Sequence, residues 1–368
     1  MSVFDRLVPD HVLNLKTYQA GRSAHEVARE FGLTRVVKLA SNENPWGPSR
    51  RATAAVREVL DQANRYPDPA ALELRGALAR KYGLSNDNII IGNGSEGIIA
   101  GITRAFLQSG DEVVTSEGAF QGFTVLCRSR GFEPIQVPLA DYRFDLGGIA
   151  KEINASTKLI YLCNPNNPTG TFFVRAEFER FMAQVPARVL VILDEAYFEF
   201  GSRLAGFPDS MDYRHDNVIT LRTFSKAYGL AGYRVGYGFG HPVLIANLWK
   251  VKLPFEPGLL AQVAALAALA DDEFLDLTLL ANQEGLLFFY AELARLGLDY
   301  LPSSTNFVAF FVPAPWSGRE LYEAMLRRGV IVRPLDHSGL PECLRISVGT
   351  PEENQLCVAA LGATLQSS

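Results

Sequence analysis

The chain has 368 residues, of which 48% are hydrophobic and 20% charged, with a formal net charge of -5. That length exceeds what one hydrophobic core fills, so two domains are expected, and the mildly acidic balance leaves no basic footprint of the kind nucleic-acid binding uses. The four cysteines form no C-x-x-C pair and the five histidines are scattered, so neither a metal site nor a disulfide framework is expected and cytoplasmic, reduced thiols are the plain reading.

From the N-terminus, residues 1–16 intersperse Asp5, Arg6, Asp10 and His11 with apolar residues and hold no continuous apolar stretch of the kind an export signal needs. Residues 1–33 are expected to form an arm that packs on a smaller C-terminal domain. From about residue 85 short β-branched or apolar runs alternate with helical patterns, the signature of βαβ units and a largely parallel sheet. Strands are expected at 88–91, 112–115, 158–162, 189–193, 218–221 and 235–238, several of them nearly continuous in apolar character as in strands covered on both faces. Helical spacing marks 97–108 and 175–184. The apolar run 259–270 is broken by Gln262 and ended by Asp271-Asp272-Glu273, short of the roughly 20 residues a bilayer requires, and reads as a buried helix. Beyond Asp271 the pattern gives a long helix to Leu296, strand 306–312, helix 318–328, strands 330–333 and 344–348, and a closing helix. Thr350 as N-cap, Pro351 at the first helical position and Glu353 three residues after the cap announce that last helix. The fold class expected is therefore α/β: a large domain, 34–270, with a mostly parallel sheet between helices, and a smaller α+β domain, 271–368.

Lys226 lies on a glycine-rich turn between two β-rich runs, with Arg234 eight residues later. Partial desolvation and a neighbouring cation both lower an amine's pKa and favour the neutral nucleophile of Schiff-base chemistry; a lone lysine is otherwise a solvated surface charge. Gly92-Asn93-Gly94-Ser95-Glu96-Gly97 follows a strand, opens a helix and has Glu117 some way on, so it meets the dinucleotide fingerprint of a nicotinamide-dependent oxidoreductase. Physically it offers free backbone N–H groups at a helix N-terminus, which suit one phosphate as well as a pyrophosphate, or it is simply a turn. Asn164-Pro165-Asn166-Asn167-Pro168-Thr169-Gly170 and Asp194-Glu195-Ala196-Tyr197 each follow a strand, at carboxyl ends where open α/β sheets bind ligands. Taken singly, the first is a turn and Asp194 a helix N-cap. Taken with Lys226, they describe one ligand, an aromatic nitrogen heterocycle bearing a phenolic oxygen, a phosphate and an aldehyde. Cys163 reads as a buried structural thiol.

These motifs, in this order and together with Ser41-Asn42-Glu43-Asn44-Pro45-Trp46-Gly47-Pro48-Ser49 and Tyr66-Pro67-Asp68, resemble the aspartate aminotransferase superfamily of fold-type I pyridoxal-phosphate enzymes, and within it are most similar to the histidinol-phosphate aminotransferases. The resemblance runs from Tyr18 to Arg345. It implies pyridoxal 5'-phosphate as cofactor, with Lys226 condensing with its aldehyde and shuttling the substrate proton, and Asp194 pairing with the ring nitrogen. Asn167 and Tyr197 would hydrogen-bond the phenolic oxygen, and Phe120 would stack on the ring or else be a core aromatic. Gly94, Ser95, Thr223, Ser225 and Arg234 would hold the phosphate, with Tyr66 reaching it from a partner subunit in a homodimer with shared active sites. Arg345 matches the arginine that grips an α-carboxylate, and Arg333, Asn306, Tyr18 and Asn44 complete the substrate side. The reaction implied joins a small-molecule amino donor and an oxo acceptor: histidinol phosphate plus 2-oxoglutarate to imidazole-acetol phosphate plus glutamate, with no part for nucleic acid, membrane or metal. Phe255-Glu256-Pro257 departs from the family pattern, which keeps an aromatic amino-acid aminotransferase as an alternative; a phospho-amino-acid decarboxylase on the same frame would share nearly all these residues and is a second.

Overall fold

The computed structural model describes residues 4–15 and 21–367; the expected substrate residue Tyr18 lies outside them. Strand β1 (Val37–Lys38) is followed by the seven strands of the large sheet: β2 (Ile89–Gly92), β3 (Glu112–Ser116), β4 (Ile135–Val137), β5 (Thr157–Cys163), β6 (Leu190–Asp194), β7 (Val218–Thr223) and β8 (Gly236–Phe239). Their spatial order is β2-β8-β7-β6-β5-β3-β4. Strands β4, β3, β5, β6 and β7 run parallel, whereas β8 is antiparallel to both β2 and β7. The expected strands are present within a residue or two at each end. Strand β4 was not foreseen: it is three residues long, half-buried at the sheet edge and directly preceded by Phe132-Glu133-Pro134.

Strands β5 and β6 are buried almost throughout, because helices lie on both faces of the sheet and their Leu, Ile and Val side chains have no solvent side. In-register pairing sets Cys163 opposite Asp194 and Asp194 opposite Leu221. The loops after β5, β6 and β7 therefore leave the sheet along one edge, and that common edge positions the site.

The second layer contains β9 (Tyr300–Leu301), β10 (Phe307–Phe311), β11 (Val330–Ile331), β12 (Arg333–Pro334) and β13 (Cys343–Ser347). Strands β12-β13-β10-β9 form an antiparallel sheet, and β11 pairs in parallel with β1. The single strand expected at 330–333 is thus two short strands serving different sheets. Helices Asp272–Arg295, Gly318–Arg327 and Pro351–Leu365 flank this layer, the last capped by Thr350 and Glu353 as expected. Its core joins Phe289, Phe310, Leu321 and Cys357 to Val27, Val37, Leu39 and Ala40, so the chain from the arm to Ala40 is stitched into the C-terminal core. The apolar run ending at Leu269 is a helix, Leu259–Leu269, packed in the large domain beside Phe224 and Tyr237. Among the described residues no helix is long and apolar enough to cross a membrane, and no cluster of three or more His, Cys, Asp or Glu side chains could hold a metal.

Candidate active site

At the carboxyl edge of β5, β6 and β7 lies a cavity of about 200 Å³ lined by Phe120, Asn167, Asp194, Tyr197, Lys226 and Arg234, with Ser95, Thr223 and Ser225 at one end. Lys226 sits just past β7, where its Nζ donates to the Ser41 carbonyl at 3.3 Å and stands 5.6 Å from the centre of the Tyr197 ring. Burial is the main cause that brings its amine down to about 8, and the positive charges of Arg345 and Arg234 push the same way. The expectation of a desolvated lysine beside a cation is met, with Arg345 the stronger of the two neighbours.

Asp194 ends β6 and is 3% exposed. Its Oδ2 accepts from the Tyr161 phenol at 2.8 Å and its Oδ1 from the Ala196 N–H at 3.1 Å. Burial pushes the carboxyl up to about 6, against the pull of those two donors and of Lys226. Beside it, Glu195 pairs with the fully buried Arg222 at 2.8 Å, whose guanidinium also lies 3.3 Å from the Phe198 ring centre and 2.9 Å from Asp209. That pair pins the turn carrying Asp194 and Tyr197 to β7.

The phosphate end is built by close backbone approach. Gly94 opens helix Gly94–Phe106 with φ 73°, and a Cβ there would stand 2.8 Å from Arg234 Nη2. Arg234 itself adopts a left-handed backbone, φ 55°, a conformation that costs a non-glycine residue about 1 kcal/mol or more and that brings its guanidinium to Ser225 Oγ at 3.4 Å. A Cβ on Gly236 would lie 2.5 Å from the Ser95 nitrogen, so β8 can flank this loop only as glycine. Thr223 Oγ1 and Ser225 Oγ, 3.0 Å apart, complete a pocket of hydroxyls, N–H groups and one guanidinium suited to a single phosphate. The dinucleotide reading fails here: Glu117, the acid it requires, is exposed and outside the cavity lining.

On the opposite side, Arg345 of β13 donates through Nη1 to Asn167 Oδ1 and through Nη2 to the Ala40 carbonyl at 2.8 Å. Arg333 of β12 lies directly across the ladder from it.

Two expected substrate residues are placed elsewhere. Asn44 donates to the Ala227 carbonyl at 3.0 Å and to Thr278 Oγ1 at 3.3 Å, bracing the loop after Lys226, and Asn306 donates to the Asn42 carbonyl at 3.1 Å. Tyr66 is 80% exposed and stacks on Phe255 with ring centres 4.2 Å apart, outside the cavity of its own chain. Sequence reasoning missed Asn42, whose side chain donates to Tyr197 Oη at 2.7 Å and accepts from Ser347 Oγ at 2.8 Å. It sits inside the quoted Ser41-to-Ser49 motif, but its left-handed backbone, φ 54°, had no sequence signal. Tyr161 was missed as well, although its spacing of two from Cys163 puts both on one face of β5.

Pyridoxal phosphate fits these residues. The buried Asp194 keeps an acceptor for a ring N–H, the Gly94, Ser95 and Arg234 pocket matches one phosphate, and the lysine amine lines the same cavity. The fold and the site define an enzyme of the pyridoxal-phosphate class. The chain belongs to the aminotransferase class I and II family, whose model matches residues 34–361. It is 42% identical to histidinol-phosphate aminotransferase 2 of Carboxydothermus hydrogenoformans, over 96% of this chain and 98% of that one. It is 45% identical to histidinol-phosphate aminotransferase 2 of Ralstonia nicotianae, over 97% and 96%. Among solved structures, the histidinol-phosphate aminotransferase of Sinorhizobium meliloti in complex with pyridoxal-5'-phosphate superposes with a TM-score of 0.86 at 32% identity, covering 98% of both chains.

Proposed function

We propose that the protein is a pyridoxal-phosphate-dependent aminotransferase that moves an amino group between histidinol phosphate and 2-oxoglutarate. The near-full-length similarity to histidinol-phosphate aminotransferases supports this reading. The observation that carries it is that Arg345, hydrogen-bonded to Asn167 of the cavity lining, pairs in register with Arg333, so that one strand pair carries two arginines for a carboxylate in one half-reaction and a phosphate in the other.

When bound, pyridoxal phosphate supplies an aldehyde that takes up the amino group and a ring that holds the electrons left when the substrate Cα loses its proton. Lys226, its amine neutral above about pH 8, would hold the cofactor's aldehyde end and would be the base that moves the proton to and from the substrate Cα. Asp194 would keep the ring nitrogen protonated, Tyr197 and Asn167 would hold the phenolic oxygen, Phe120 would cover the ring, and Gly94, Ser95, Thr223, Ser225 and Arg234 would hold the phosphate. Arg345 orients the α-carboxylate of glutamate. Asn44 and Asn306 serve the site by bracing the Lys226 loop and Asn42.

The small domain at 271–368 takes in the arm together with residues up to Ala40, which share its core, so the expected boundary at 33/34 moves to about Ser41; the large domain runs on to 270, and the working form is a cytoplasmic homodimer in which the exposed Tyr66 enters the partner's phosphate pocket. The deciding experiment offers the loaded enzyme a panel of amino donors and follows discharge of its visible absorbance. Histidinol phosphate is expected to discharge it at far lower concentration than phenylalanine. Preference for phenylalanine would reassign the substrate to aromatic amino acids, and carbon dioxide release without 2-oxoglutarate would make the protein a decarboxylase.

A further inference from the structure

Tyr161 is fully buried in the middle of β5, among the aliphatic residues Ile160 and Leu162. Its ring stacks face to face on Phe123, centres 4.2 Å apart and planes 10° from parallel, and its own carbonyl accepts from Thr115 Oγ1 at 3.0 Å. Phe123 stands in the helix Gln121–Arg128, immediately after Phe120, which lines the cavity. One helix start therefore delivers both the ring cover of the site and the plate on which Tyr161 rests. With the ring so fixed, the phenol donates to Asp194 Oδ2 at 2.8 Å, with the Cys163 thiol beside it.

Asp194 needs such a donor. A buried carboxylate is costly unless hydrogen-bonded, and besides Tyr161 it receives the Ala196 N–H, on the other oxygen. Cys163, its in-register neighbour, turns its thiol to the Pro165 carbonyl instead. A carboxylate offers about four acceptor positions, so the two bonds fix its plane and leave room for a ring N–H from the cavity.

Resting on the cofactor reading above, we propose that Tyr161 is a positioning residue for the cofactor's ring nitrogen, holding the Asp194 carboxylate in place and in its charged form so that it can pair with a protonated ring. A phenol that merely satisfies the core would stabilise the fold without caring what lies in the cavity. The two roles separate when the ring nitrogen is removed from the ligand.

The test titrates the full-length apo protein, wild type and Tyr161→Phe, with pyridoxal 5'-phosphate and with its 1-deaza analogue, in which CH replaces the ring nitrogen. A hydrogen bond to a charged group is worth about a factor of 10 or more in affinity. The variant is expected to bind pyridoxal phosphate roughly 10-fold more weakly and the analogue within about 2-fold of wild type, since the analogue has no N–H for the carboxylate to receive. Phe123→Leu, which keeps the phenol and loosens it, is expected to show the same selectivity to a smaller degree. Equal losses for both compounds, or no loss for either, would overturn the proposal. Wild-type protein that took up neither compound would instead overturn the cofactor reading beneath it.

Discussion

Lys226 makes the clearest demand at the scale of single residues. Burial, helped by the positive charges of Arg345 and Arg234, brings its amine to about 8, below the roughly 10.4 of a solvated lysine. Below pH 8 its neutral fraction falls about 10-fold per unit, and below about 6 Asp194 also loses its charge. Capture of pyridoxal phosphate by the apo protein should therefore accelerate with rising pH up to about 8 and then level off; stopped-flow absorbance gives the profile. A rate still climbing steeply above pH 9 would mark a solvated amine and contradict the site's electrostatics. The lysine, Asp194, Asn167 and Arg234 were legible because each sits in a short motif whose residue types have few other reasons to occur together. Asn42 and Tyr161 were not, because their roles come from a left-handed turn and from a phenol reaching across to the neighbouring strand, and neither leaves a mark in the local pattern.

Among the elements, the phosphate loop depends on how closely β8 can approach it. Gly236→Ala would put a methyl 2.5 Å from the Ser95 nitrogen and 2.7 Å from the Gly94 carbonyl carbon, backbone that has no side-chain freedom to yield. Such overpacking costs about 1–3 kcal/mol and shifts the N–H groups proposed to receive the phosphate. Denaturant unfolding should show that loss, and cofactor titration a weaker affinity than for Gly232→Ala, where nothing lies within 4 Å of an added Cβ. Equal affinity in the two variants would mean that the loop is not held from β8. The strands themselves were readable as apolar runs with turn residues between them, since burial on both faces leaves little else for such runs to be. Their directions were not: nothing in residues 235–238 says that β8 runs against β7. The run at 330–333 could not reveal that its two halves pair in different sheets, because pairing partners lie about 290 residues away for β11 and ten for β12, and alternation carries no partner information.

For the whole molecule, one large hydrophobic core packs around the strands of the large sheet and another fills the C-terminal layer, reaching back to Val27 and Ala40. The change from alternating strand and helix patterns to the long helix near Asp271 made the second layer visible in the sequence, whereas the return of residues 37–40 to it was hidden in a two-residue strand. In the proposed homodimer the exposed Tyr66, stacked on Phe255, reaches the partner's phosphate pocket. Co-expressed Tyr66→Ala and Lys226→Ala chains should form hybrids in which one site has an intact lysine and an intact partner tyrosine. Activity above that of either variant alone is expected; activity no higher than the Tyr66→Ala chain by itself would place Tyr66 outside the shared site.

The account turns on the amine at position 226 forming the bond to the cofactor. Protein loaded with pyridoxal phosphate, reduced with borohydride, digested and mapped by mass spectrometry should carry the pyridoxyl adduct on the peptide containing Lys226. An adduct confined to other lysines, or none at all, would contradict it.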